Sequence, residues 1–155
     1  MIRAPLAALS LLILAPACDS SDVGDGDQLI ELSDEGRACV FAEAPSDPAF
    51  PEFPQDFAAG EPLFVNVLFA DCESGCAGNI ETSCEVTASG SDLTVTSAAS
   101  YTVPTGEVIC GDVCVVVAAT CSIDGLADGT YAIAHGDGET SVTVPSQANE
   151  APCVP

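Results

Sequence analysis

Short runs of apolar or alternating residues, separated by turn residues, fill the chain from about residue 28 onward. Two runs are nearly all apolar, LFVNVLFA at 63–70 and VCVVVAA at 113–119, and they predict central strands buried on both faces. Residues 80–87 and 92–97 alternate with period two around Ala88-Ser89-Gly90-Ser91, which predicts a hairpin.

Side chains of that hairpin that point to one face are expected to be Cys84, Val86, Leu93 and Val95. A second hairpin is predicted near the C-terminus, where a strand ending at His135 is followed by Asp137-Gly138 and the run ETSVTV.

Residues 37–43 form a shorter β-like run, and the segment that follows, 44–62, places five prolines among aromatic residues. That much proline disfavours a helix or a central strand, so we expect a long connection whose Phe50, Phe53 and Phe57 cover part of the core. No stretch between residue 18 and the C-terminus shows sustained helical periodicity with capping residues. The pattern therefore predicts an all-β, antiparallel sandwich of about seven to nine strands.

The N-terminus has the layout of a secretory signal, with Arg3, an apolar run from Leu6 to Leu14, and small residues before Cys18. The segment Leu14-Ala15-Pro16-Ala17-Cys18 resembles the lipobox of bacterial lipoproteins, with Ala15 where that family prefers leucine. The resemblance implies that Cys18 is lipidated and becomes the mature N-terminus. An ordinary secreted protein, with Cys18 free or removed, is the alternative.

The predicted organisation has three parts: a lipoprotein signal peptide at 1–17, a disordered acidic tether at 18–27, and a β-sandwich domain at 28–155. Asp22, Asp25 and Asp27 of the tether lack the further oxygen ligands and the closing Glu of a calcium loop.

Nine cysteines less a lipidated Cys18 leave eight, an even set that can form four disulfides outside the cytoplasm. Six of them form two similar triplets, Cys72-x3-Cys76-x7-Cys84 and Cys110-x3-Cys114-x6-Cys121. Of the 105 possible connectivities, we predict Cys84 with Cys121 and Cys39 with Cys153, and leave the other four cysteines unassigned. Each closed loop is expected to contribute roughly 2–4 kcal/mol by restricting the unfolded chain.

Zinc and redox roles for the triplets are disfavoured. An exported chain meets an oxidising environment, and neither the spacing of structural zinc sites nor that of thioredoxin-like sites is present. We therefore expect no metal site and no cofactor.

The charge is strongly one-sided, because the part of the chain after Cys18 carries one arginine, Arg37, against 24 carboxylates, a formal charge of −23. Such a surface repels nucleic acid and anionic lipid headgroups, both of which are bound through clustered Lys and Arg. A nucleic-acid function is excluded, and the scattered carboxylates are best explained by solubility.

Leu126-Ala-Asp-Gly-Thr-Tyr131 resembles the strand start of bacterial immunoglobulin-like and fibronectin-like domains, where a tyrosine ties down the adjoining corner. Together with the lipobox, the acidic tether and the cysteine clusters, it makes the chain similar to small cysteine-rich lipoproteins that recur in myxobacteria and related lineages. That resemblance implies an immunoglobulin-like sandwich and a location in the cell envelope. It implies no activity.

Catalytic motifs are absent from the sequence, with no G-x-S-x-G, HExxH or P-loop pattern. His135 is the only histidine, and hairpin-tip polarity is the better explanation of His135, Asp137 and Glu139, because the Asp-Gly turn interrupts the strand between them. We therefore expect no enzyme, but a membrane-anchored, non-catalytic binding or structural module of the periplasm or cell surface, with an envelope or extracellular protein as its partner. A small secreted enzyme or enzyme inhibitor, and a lipoprotein that binds metal through carboxylates, are the alternatives.

Lipidation is tested directly by the mass of the mature protein. We expect an acylated Cys18 as the N-terminal residue and no alkylatable thiol without reductant. The Cys18→Ser variant is expected to leave the membrane fraction and to lose the acyl mass. Several free thiols in the unmodified protein would contradict the disulfide framework.

Overall fold

Strands make up most of the chain described by the computed structural model, which covers residues 26–46 and 55–154. Eleven strands lie in this part of the chain, and eight of them have five residues or more. Their bounds are β1 Asp27–Ser33, β2 Arg37–Phe41, β3 Gln55–Phe57, β4 Leu63–Glu73, β5 Gly78–Ser89, β6 Asp92–Pro104, β7 Val115–Ile123, β8 Gly129–His135, β9 Gly138–Val144, β10 Ser146–Ala148 and β11 Cys153–Val154. Within the described ranges, no helix is long and apolar enough to cross a membrane.

Two main sheets form a sandwich-like arrangement. The first sheet contains β5, β6, β1, β8 and β9, and the second has the order β11-β2-β4-β7. The short strands β3 and β10 pair with each other. The expected all-β sandwich is confirmed. Most pairs are antiparallel as expected, whereas β6 and β8 run parallel.

One edge of β6 is divided between two strands. Its first half pairs with β8, from Asp92 opposite Ala132 to Val95 opposite His135. Its second half pairs with β1, from Ala98 opposite Ser33 to Pro104 opposite Asp27. The two halves meet at Thr96 and Ser97, so the turns that follow β1 and β8 come together at this point of the sheet.

The main core lies between the sheets because inward positions alternate with outward ones along the strands. The second sheet contributes Val40, Val65 and Val67, and the first contributes Leu93 and Ile133, all at most 1% exposed. A second cluster, formed by Ala99, Tyr101 and Val117 with Ile30 and Leu32 packed against it, continues the core toward one end of the sandwich.

The predicted hairpins are present, and the first has the expected inward face. Leu93 and Val95 are buried, and Cys84 and Val86 pack against them. The turn of the second hairpin is displaced by one residue, because His135 pairs with Gly138 and leaves Gly136 and Asp137 as the turn. Gly136 takes the required positive φ of 53°.

The prediction for residues 113–119 was wrong in two respects. The strand begins at Val115, since Val113 is held in a tight turn by its N–H bond to the Gly111 carbonyl (2.7 Å). It also lies at the edge of its sheet, with only β4 as a ladder partner. Side chains of β5 cover it instead, among them Thr82, whose hydroxyl donates to the Ala118 carbonyl at 3.0 Å. The run at 63–70, by contrast, is a central strand between β2 and β7.

Phe57 is fully buried in the core, as expected for the proline-rich connection, while Phe50 and Phe53 lie outside the described residues. The predicted signal peptide, Cys18 and most of the tether also lie outside them. The last tether residue, Asp27, is the first residue of β1, so the paired structure begins one position before the predicted boundary.

Tyr131 makes the corner contact implied by the resemblance to immunoglobulin-like domains. Its hydroxyl donates to the Ala127 carbonyl, four residues upstream, at 3.0 Å. The preceding loop is fixed by the Gly60 N–H, which bonds to the Leu126 carbonyl at 2.9 Å. Immunoglobulin-like topology itself stays a prediction, because a corner contact does not define the order of strands.

Candidate functional site

Four disulfides join all eight cysteines after Cys18. Cys39 pairs with Cys153, and Cys84 with Cys121, which are the two pairings named from the sequence. The four unassigned cysteines form Cys72–Cys114 and Cys76–Cys110. Three of the four bonds therefore connect one triplet to the other. The fourth joins β2 to β11, whose cysteines lie directly opposite each other in the ladder.

Two of these bonds clamp a pair of loops at one end of the sandwich. The clamped loops are residues 72–77, where β4 passes into β5, and residues 105–114, which connect β6 to β7. Because Cys72 pairs with Cys114 and Cys76 with Cys110, each loop is tied to the other at two points. The conformational freedom of both loops is reduced accordingly.

Backbone packing brings the clamped loops even closer. A Cβ built on Gly75 would lie 2.7 Å from the Gly111 carbonyl oxygen and 3.0 Å from that of Val113, closer than a side chain tolerates. The Gly75 loop is itself a tight turn, with the Ala77 N–H bonded to the Ser74 carbonyl at 2.8 Å. Glycine at position 75 therefore permits the contact between the loops.

The base of the clamped loops rests on the second core cluster. Ala77 packs against this cluster, and the Tyr101 hydroxyl donates to Glu73 Oε1 at 3.2 Å. Burial, and then the Glu73 carboxylate, raise the pKa of the Tyr101 phenol above 10.0, so the hydroxyl remains a donor. A bulge in β5, where Asn79 and Ile80 oppose the single residue Tyr101, gives the strand an irregular start here.

Three aliphatic side chains are exposed on the clamped loops. Ile109 is 100% exposed, Val113 67% and Val108 54%, the highest values among the large hydrophobic residues described. Aliphatic side chains of this size normally gain about 1.5–3 kcal/mol from burial, so this group of exposed ones makes the clamped loops the candidate binding surface. Glu107 and Asp112 on the same loop are exposed as well.

Sequence reasoning missed this surface. It assigned Val113 to a buried strand and gave Val108 and Ile109 no role. The available signal was the position of these apolar residues within two residues of Cys110 or Cys114, in a segment whose Gly106, Gly111 and polar residues are typical of a loop.

A cluster of polar groups lies where β1 and β8 meet on β6. We refer to its residues, Asp34, Ser97, His135 and Gly136, as the β6 junction. The Asp34 N–H bonds to the Ser97 carbonyl at 2.9 Å, and Asp34 Oδ1 accepts from the Ser97 N–H at 2.8 Å. Asp34 achieves this with a positive φ of 52°, which Asp tolerates better than most residues.

His135 completes the β6 junction from the other side. Its Nε2 lies 2.9 Å from Ser97 Oγ, and the imidazole is only 3% exposed. Gly136 packs on the Asp34 turn so closely that a Cβ would lie 2.5 Å from the Asp34 carbonyl oxygen. Hydrogen bonds and close packing thus join both turns to Ser97.

A hydroxyl beside an imidazole is also the geometry of a nucleophile and its base. Here Ser97 and His135 are buried. An orienting carboxylate would accept a hydrogen bond from the imidazole, whereas Asp34 Oδ1 accepts one from the Ser97 backbone N–H. The cluster is best explained as a structural junction. The predicted hairpin-tip polarity for His135 was wrong, since the side chain points into the sandwich while Asp137 and Glu139 are exposed.

Cavities on the described surface include one of about 820 Å³ between residues 41–46 and 55–64. Two others, of about 310 Å³ and 600 Å³, lie beside Ser33, Ser83 and Ala98 on the first sheet. The smaller of these two adjoins the β6 junction, since Asp34 and Ser97 also line it, and Glu31 and Glu81 line the larger one. In residues 26–46 and 55–154, no group of three or more His, Cys, Asp or Glu side chains is placed to hold a metal ion.

Glycine 75 provides a test of the packing between the clamped loops. Gly75→Ala is expected to lower the free energy of unfolding by about 1–3 kcal/mol, because the added methyl group meets backbone oxygens of the facing loop. The matched control is Gly106→Ala, where no atom lies within 4 Å of the new Cβ. Urea unfolding of both variants measures the effect, and equal midpoints would contradict the close contact.

The β6 junction predicts a pH dependence of stability. Burial lowers the pKa of His135 below 6.5, with a smaller opposing effect from the Asp34 carboxylate. The unfolded chain therefore binds more protons as the pH falls through 6.5, and the contribution of His135 to stability is complete above this pH and lost below it. The slope for one proton is at most about 1.4 kcal/mol per pH unit.

Urea unfolding between pH 7.5 and pH 5.5 measures this slope. His135→Gln, which retains hydrogen-bonding groups but does not titrate, is expected to show a smaller loss of stability on acidification than the unmodified protein. Asp137→Asn, in the same turn and exposed, serves as the control and is expected to keep the original slope. Identical slopes for the His135 variant and the unmodified protein would refute the assignment.

Comparison of the chain with known proteins adds no relative to this description. No protein-family model, no curated protein and no solved structure matches it.

Proposed function

We propose that this chain is a non-catalytic binding module of the bacterial cell envelope, anchored through lipid on Cys18, and that the clamped loops are its binding surface. One observation carries the proposal. A loop held by two disulfides displays Ile109, Val108 and Val113 to solvent at the end of the sandwich.

The location is supported by two independent features. All eight cysteines of the described chain are in disulfides, which form and persist in oxidising compartments outside the cytoplasm. The segment that ends at Cys18 resembles a lipobox, which adds a membrane anchor to the exported address. Together they favour a protein held at the envelope surface.

Binding is favoured over catalysis by the position of the polar groups. The only histidine of the chain is buried in the β6 junction, where its neighbours are other structural groups. A general base must reach the substrate proton within hydrogen-bond distance, and the His135 side chain is buried, with only 3% of the residue exposed. The exposed chemistry of the clamped loops is aliphatic and acidic, which suits recognition.

The two loop disulfides also reduce the entropic cost of binding. A flexible loop loses conformational entropy when it docks, at a cost of roughly 0.5–1.5 kcal/mol per immobilised side chain. Cys72–Cys114 and Cys76–Cys110 impose much of that cost when the protein folds instead of when it binds. The clamped loops are therefore preorganised for contact.

Photo-crosslinking in the native envelope tests this function. A benzophenone amino acid replaces Val108 in the full chain, expressed in its own bacterium. In the control it replaces Thr87, which is exposed and lies near the end of β5 that is farther from the clamped loops. We expect a discrete adduct from position 108 and none from position 87.

Removal of one clamp gives the matched structural control. The double variant Cys76→Ser with Cys110→Ser is expected to reduce the adduct severalfold while the protein remains at the membrane, because the loop loses its fixed shape. Failure of position 108 to form any adduct, or equal adducts from both positions, would contradict the proposed binding surface.

A further inference from the structure

Resting on the proposed binding function, we infer that the partner is a protein with an apolar pocket whose rim carries Lys or Arg, and that Ile109 is the side chain that enters the pocket. Two features of the clamped loops support this inference: the exposed aliphatic side chain of Ile109, and the exposed carboxylates of Glu107 and Asp112 close to it in the chain.

Ile109 is the outermost aliphatic group of the clamped loops. It is completely exposed, whereas Val113 and Val108 on either side retain a third to a half of their cover. Its neighbour Cys110 is fixed to Cys76, so the Ile109 backbone is held one residue away from a covalent anchor. A rigid projecting side chain of this kind matches a concave site better than a flat one, because only a pocket surrounds it on all sides.

Charge defines the rim of that pocket. Glu107 and Asp112 are exposed within three residues of Ile109, and neither clamped loop contains a lysine or an arginine. Acidic groups around a complementary pocket would face these carboxylates at short distance and repel them. A cationic rim converts the same contacts into attraction and also accelerates the encounter, because the part of the chain after Cys18 has a formal charge of −23.

The same charge argues against the other occupants of this surface. A second copy of the chain would add its own acidic surface, with 24 carboxylates over the whole chain, and the clamped loops offer it no basic group in return. Bacterial anionic lipid would likewise be repelled, since surfaces that bind such lipid do so through clustered Lys and Arg. A heterologous, basic protein surface is the remaining match.

The test uses the adduct formed from benzophenone at position 108 in isolated native membranes. Ile109→Asp is expected to lower the adduct about tenfold or more, since the pocket would have to accept a carboxylate, and Ile109→Leu is expected to retain it. Leu29→Asp, on the outer face of the first sheet and 44% exposed, controls for a general change of charge and hydrophobicity and is expected to leave the adduct unchanged.

Salt and charge variants test the rim. Raising the salt from about 0.05 M to about 0.5 M before irradiation is expected to lower the adduct severalfold. The double variant Glu107→Gln with Asp112→Asn is expected to give a weaker adduct at low salt and to lose most of this salt dependence. Mass spectrometry of the adduct is expected to place the contact in an apolar segment of the partner with Lys or Arg beside it.

The outcomes separate the inference from the function on which it rests. An adduct that persists in Ile109→Asp, or that joins position 108 to a second copy, to lipid alone or to an acidic segment, overturns the inference and leaves a binding module. The absence of any adduct from position 108 overturns both. Because Ile109 is fully exposed, none of its substitutions is expected to change the thermal midpoint, which checks that folding is preserved.

Discussion

The three disulfides between the cysteine triplets are the constraint on which the rest of this structure depends. Cys84–Cys121 joins β5 of the first sheet to β7 of the second, so it fixes the two layers of the sandwich against each other. Cys72–Cys114 and Cys76–Cys110 continue the same connection beyond the ends of the strands. Sheets packed only by Val, Leu and Ile side chains have no directional contact of this kind, whereas covalent bonds determine which faces meet.

The β6 junction provides hydrogen-bond partners where β1 and β8 share one edge of β6. Where β1 and β8 meet beside Thr96 and Ser97, the regular ladder is interrupted, and backbone groups at the interruption need partners. Asp34 supplies both a donor and an acceptor to the Ser97 backbone, and His135 Nε2 forms a hydrogen bond with the Ser97 hydroxyl. The only histidine and an aspartate with positive φ are therefore explained by satisfied hydrogen bonds in the sandwich.

Local patterns predicted the regular strands well because the strands are local features. The run at 63–70, the inward face of Cys84 and Val86, and the burial of Phe57 all follow from alternation and hydrophobicity. The parallel pairing of β6 with β8 could not be predicted, since it joins residues about 40 positions apart through a shared edge. The sequence did not predict β1, because Ile30 and Leu32 are its only partly buried residues and the alternation is therefore short.

The candidate site escaped prediction for a related reason. Interior positions are mostly apolar, but apolar residues are not always interior. Hydrophobicity alone therefore could not identify Val108, Ile109 and Val113 as exposed. The cysteines on either side carried the relevant information, because Cys110 and Cys114 have to reach Cys76 and Cys72 and leave the intervening chain as a short, taut connection. Two of the four bonds were specified in advance from strand equivalence and chain ends, while the other two depended on loop geometry that no local pattern encodes.

Covalent clamps and a high negative charge together explain how the fold tolerates exposed aliphatic side chains on the clamped loops. An exposed apolar patch favours aggregation, but the part of the chain after Cys18 has a formal charge of −23, and the repulsion between copies opposes association. The disulfides meanwhile keep the loop in place without requiring Ile109 to be buried for stability. Stability thus resides in the sandwich and its cross-links, and the exposed aliphatic side chains of the clamped loops contribute little to it.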